Sequence, residues 1–80
     1  MHKGYESKNI RQATGHLIEE CGEVQAALGK TIRWGIDNFN PFLPEDQRIT
    51  NRQWVLNEIS DLKIAIAKIE EYFNNKEETL

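Results

Sequence analysis

Five carboxylates stand in two short clusters, Glu19-Glu20-Cys21-Gly22-Glu23 and Glu58-Ile59-Ser60-Asp61. Gathered acids repel one another by about 4 kcal/mol per pair at 4 Å and an effective dielectric of about 20. A fold that brings them together usually recruits a cation. Hard divalent ions such as Mg²⁺ take oxygen ligands and commonly bring substrate phosphates with them. These residue types point to metal-dependent chemistry on a nucleotide.

Both clusters lie in stretches with helical periodicity. From about residue 9 to 33, Leu17, Cys21, Val24 and Leu28 recur at i, i+4, i+7 and i+11, and Ile18 widens the stripe. From about 51 to 74, Val55, Ile59, Leu62, Ile66, Ile69 and Phe73 form a second stripe. Thr50-Asn51-Arg52-Gln53 matches a capping box, with Gln53 expected to reach back to the cap. Between the helices, residues 35–50 hold turn-forming Gly35, Asp37-Asn38, Asn40-Pro41 and Pro44-Glu45-Asp46, together with Ile36, Phe39, Phe42 and Leu43. A loop of that length in a small domain is functional or carries a short element of its own. Residues 1–8 read as a loose lead-in and 75–80 as a polar tail that frays. There is no strand signal and no internal repeat.

At about 100° per residue, Glu19, Glu20, Glu23 and His16 share one face of the first helix, largely opposite its apolar stripe. By itself that describes a solvated acidic face. Gly15, Gly22 and Gly29 recur every seven residues beside it, with Ala26 on the same side. Each helical glycine costs about 0.8–1 kcal/mol relative to alanine, so close approach of another helix is expected there, placing the acids in a cleft. A C-cap is the alternative for Gly29. On the second helix, Glu58 falls toward the apolar stripe and Asp61 flanks it. A carboxylate facing a core is rarely left unpaired. Its partner is a basic residue (Lys30, Arg33, Arg48 or Lys63) or a metal shared with the first helix. Cys21 reads as a core residue.

The 80 residues allow one domain, with a thin core that is marginal alone. With a single cysteine no intrachain disulfide forms, which leaves metal or partner chains as the stabilisers. The sequence lacks a membrane-span run and a signal-peptide core, and cytoplasmic localisation is expected. A net charge of −3 gives no global basic signature for nucleic acid.

His16 to Lys30 (HLIEECGEVQAALGK) and Asn57 to Ile66 (NEISDLKIAI) resemble the two core helices of the all-α NTP pyrophosphatases, the MazG-like group. The resemblance rests on Glu-Glu-x-x-Glu on one helix followed by Glu-x-x-Asp on the next. It implies an all-α fold: a helical hairpin completed by oligomerisation into a four-helix-bundle-type core, as a homodimer or homotetramer. It implies hydrolysis of a (deoxy)nucleoside triphosphate to the monophosphate and pyrophosphate, with Mg²⁺ as cofactor and Mn²⁺ as a substitute. Carried over by position, Glu20, Glu23, Glu58 and Asp61 are the metal ligands, and Glu19 supports them or orients the attacking water. The loop between the motifs is longer than is typical of that group. The family's downstream basic and Asn residues have only Asn74, Asn75 and Lys76 as counterparts here.

Lys30 and Arg33 follow the first acidic helix and could meet phosphates; ordinary surface charge at a helix C-terminus is the alternative. Trp34, Trp54, Tyr72 and His16 are candidates for a base or substrate pocket, although such aromatics more often fill a core or interface. A di-iron carboxylate protein would need Glu-x-x-His twice, and neither cluster supplies it. A non-enzymatic helical interaction module remains the rival, with the glycine face as its seam.

Overall fold

The computed structural model describes residues 8–75; the expected lead-in at 1–7 and tail at 76–80, Lys76 included, lie outside the described residues. Helix α1 spans Ile10–Trp34. It starts where the Asn9 side chain accepts the backbone N–H of Gln12 at 2.9 Å, satisfying one of the N–H groups left open at a helix start. It stops at Gly35, whose φ of +96° is reserved for glycine and whose N–H closes onto the Thr31 carbonyl. Helix α2 spans Asn51–Phe73. Thr50 caps it through Oγ1, which accepts from the Gln53 N–H at 3.1 Å. Only half of the expected capping box forms: the Gln53 side chain donates forward to Asn57 instead of back to the cap.

The two helices pack against each other as a hairpin, with no strand among the described residues. The intervening loop holds one short 3₁₀ turn, Glu45–Gln47, and an isolated antiparallel bridge between Phe39 and Thr50. Asn51 staples its ends. The Asn51 Nδ2 donates to the Gly35 carbonyl at 2.8 Å, and its backbone N–H donates to Asn38 O at 2.7 Å. Arg48 ties the loop interior to the carbonyls of Leu43 and Pro41 and lies over the Phe39 ring.

The contact face is not the apolar stripe. On α1 the buried residues are Ile10, Ala13, His16, Glu20 and Ala27; on α2 they are Asn51 and Ala65. At 100° per residue this face is turned by roughly 60–70° from the centre of each apolar stripe. Small side chains explain the choice, because Ala13, Ala27 and Ala65 on this face let the helix axes come close. The expected core stripe is consequently corrected. Cys21 is exposed, Leu28 is 44% and Ile18 67% exposed, and Leu17 and Val24 are only half-buried. The two stripes turn the same way and meet on one side of the hairpin. There Leu28, Ile36, Val55 and Leu56 line a common hollow of about 280 Å³.

A Cβ built on Gly15, Gly22 or Gly29 meets nothing within 4 Å, so among the described residues no helix of this chain approaches them, and none is the α1 cap.

Candidate functional site

The seam between the helices follows a three–four spacing on both sides. On α1 it runs Ala13, His16, Glu20, Glu23, Ala27 and Lys30; on α2 it runs Asn51, Trp54, Glu58, Asp61, Ala65, Lys68 and Tyr72. Every one of these residues is buried or half-buried. This is the spacing of a coiled-coil seam, filled with small and polar residues in place of leucines.

At its centre, Glu20, Glu58 and Asp61 each offer a carboxylate oxygen, and the three oxygens lie within 4.8 Å of one another. Two oxygens bound to one Mg²⁺ at about 2.1 Å stand roughly 3–4 Å apart, so small side-chain rotations suffice to enclose an ion. Glu20 is fully buried, and neither of its oxygens receives a hydrogen bond. Beside it on the same helix stands His16, 5% exposed, whose Nε2 lies 3.2 Å from Oε1 without the alignment of a hydrogen bond. An ionised carboxylate in that position carries an uncompensated desolvation cost.

Glu58 is half-buried and receives the Trp54 indole N–H on Oε1 at 3.2 Å. Burial pushes its carboxyl above the usual value. A hydrogen bond with Glu23 and the Glu23 charge push the same way, while the Trp54 N–H opposes them. Glu23 and Glu58 thus face each other across the seam. None of the four basic residues considered as partners forms an ion pair with Glu58. Lys30 places Nζ 4.4 Å from the centre of the Trp54 ring, Arg33 lies over Trp34, Arg48 serves the loop, and Lys63 is exposed.

Of the residues expected from the sequence, the hairpin therefore brings Glu20, Glu23, Glu58, Asp61, His16, Trp54 and Lys30 to one seam. It leaves others apart. Glu19 is exposed on the flank of α1. Trp34 belongs to a loop cavity of about 310 Å³ lined by Asn38, Phe39, Pro41 and Phe42. Tyr72 contacts Lys68 and lies about 27 Å along α2 from Trp54, at 1.5 Å per residue. The two cannot form one pocket within this chain. Asn51, which anchors the loop to the seam, carries no chemical signature and does not stand out in the sequence; its place in the three–four row was the available signal.

The chain gives no match to a protein-family model, to a curated protein or to a solved structure.

Proposed function

We propose that this chain is a Mg²⁺-dependent nucleotide pyrophosphohydrolase that cleaves (d)NTP to (d)NMP and pyrophosphate, with removal of non-canonical nucleotides as its housekeeping role. The observation that carries the reading is Glu20: a fully buried carboxylate without a hydrogen-bond donor, facing two further carboxylates on the opposite helix. Natural folds rarely leave such a group uncompensated, and a divalent cation is the partner that three convergent carboxylates fit.

Glu20, Glu58 and Asp61 would hold the ion, with Glu23 beside them. A divalent cation there would neutralise polyphosphate charge and polarise the α phosphorus. Glu23, beside Glu58 in the seam, would take a proton from an attacking water. Lys30, over Trp54 on the seam, would be the cation offered to a phosphate. Arg33, turned onto Trp34, is less suited to that role. The indole face of Trp54 is shared with Lys30, which favours charge balance over base stacking at that ring.

The working form would be a homodimer or homotetramer. Its support is the apolar stripe left outside the hairpin, which a second copy would cover to give a four-helix core. That assigns the oligomer seam to the stripe and not to the glycine row.

The test is pyrophosphate release from a panel of canonical and modified NTPs and dNTPs, with Mg²⁺ or Mn²⁺ and with EDTA. Monophosphate and pyrophosphate formation that stops with EDTA supports the enzyme. Silence across the panel from a folded oligomer favours the second reading, a helical interaction module. The observation behind that alternative is the amount of exposed apolar surface, including Ile32 at 87% and Phe42 at 91%.

A further inference from the structure

We propose that His16 is a positioning residue for the cation site, donating from Nε2–H to Glu20 Oε1 so that Oε2 is presented to the ion. The inference rests on the metal reading above and deepens it. Glu20 has three rotatable side-chain bonds and no hydrogen bond to fix its carboxylate plane. The other two members of the cluster arrive from α2, so the angle at which Glu20 meets them decides whether three oxygens can converge on one point. His16 sits one helical turn before Glu20 on the same face, and both side chains are enclosed by the hairpin at 5% and 0% exposure.

A neutral imidazole carries one N–H and one bare nitrogen, and the tautomer follows from the partner each nitrogen meets. Nε2 meets an acceptor-only carboxylate oxygen at 3.2 Å, which favours the Nε2–H form. With Oε2 turned toward Glu58 and Asp61, Oε1 would be left to accept that N–H. Nε2 is itself outside the set of atoms that converge, so His16 acts through Glu20 and not as a ligand. Groups of this kind, one shell behind a metal ligand, typically change metal affinity by about 10–100-fold when removed.

The experiment is Mn²⁺ binding to the purified 80-residue chain, read by the electron paramagnetic resonance of free Mn²⁺, with thermal melts run alongside in EDTA. Wild type, His16→Leu and His16→Gln are compared. Leucine keeps the volume and removes the donor; the glutamine amide nitrogen reaches close to the position of Nε2. The expected result is Mn²⁺ affinity at least about tenfold weaker in His16→Leu, although its melt in EDTA is not lowered. His16→Gln should restore binding to within about threefold. Unchanged affinity in His16→Leu overturns the proposal while leaving the metal site standing. So does a His16→Gln variant as weak as His16→Leu, because a donor at that place would then not be the reason. Wild type that binds no Mn²⁺ overturns both the positioning role and the metal reading beneath it. If His16→Leu fails to fold, His16→Gln against His16→Asn decides: the shorter amide should bind at least about tenfold more weakly, and equal affinities overturn the proposal.

Discussion

Glu58 is the residue whose environment makes the sharpest demands. Its carboxyl is held above the usual value, chiefly by burial and then by Glu23. A carboxyl whose pKa is higher in the folded than in the unfolded state contributes stability at low pH, below its unfolded value. That contribution is lost as pH rises through the folded value. In EDTA, the melting temperature should therefore fall from mildly acidic to neutral pH, and millimolar Mg²⁺ should reverse the fall at neutral pH. A melt in EDTA that rises steadily over this range would count against a raised Glu58 carboxyl. Glu58→Gln removes the same charge, so it should keep the helix content and melt no lower than wild type at neutral pH in EDTA, yet lose turnover. Glu23→Gln should retain helix content and lose about 10²–10⁴-fold in turnover, as for removal of a general base. Full activity in either purified variant contradicts these roles. The carboxylates were legible in the sequence because acids at i, i+3 on helices stand out. The burial of His16 and Glu20 was not, because wheel arithmetic on one helix cannot tell which flank a partner helix will choose.

The helices themselves were legible almost to the residue, since caps and periodicity act locally: Asn9 and Thr50 start them by accepting backbone N–H groups on their side-chain oxygens, and Gly35 ends the first through its own N–H. What the sequence left hidden was the rotation of each helix. Two rows compete on α1 and α2, an apolar stripe and a three–four row of small and polar residues, and alanines on the second decide the contact. The glycines supply a test at this scale. Gly22 sits in a regular helix with open space where a Cβ would stand, so Gly22→Ala should stabilise the chain by about 0.8–1 kcal/mol. Gly35, with φ near +96° and an extended ψ, is in a region that alanine rarely enters, and Gly35→Ala should cost about 1–3 kcal/mol. Denaturant titration of the two variants checks both signs. A loss in Gly22→Ala would mean that another copy lies against the glycine row after all.

At the scale of the whole molecule, the hairpin is one helix layer thick. Its extents are 47 × 23 × 14 Å, and its radius of gyration of 15.1 Å exceeds the roughly 11–12 Å of a compact chain this size. Stable domains need a second layer over their apolar side. Among the described residues the buried apolar set is Ile10 and three alanines, and no leucine is fully enclosed. Sedimentation equilibrium should accordingly give a mass of two or four chains, with a melting temperature that rises with protein concentration. Ile66→Glu, on the exposed stripe, should shift that equilibrium toward single chains of lower melting temperature. A monodisperse monomer with a cooperative, concentration-independent melt would refute the completed bundle. Length and the missing disulfide raise the expectation of a partner. The side on which one would sit is not readable from them, because it follows from the helix rotation.

The staple at Asn51 has a consequence for how such a chain can diversify. Its bonds to Gly35 and Asn38, with the Phe39–Thr50 bridge beside them, close residues 40–49 into a ring whose ends are fixed next to one another. Doubling the length of such a ring adds only about 0.6 kcal/mol of closure entropy. Insertions between Asn40 and Ile49 can therefore come and go while the register of Glu20 against Glu58 stays put. The hairpin is in this sense a ready display scaffold: recognition can be rewritten in the ring without retuning the carboxylates.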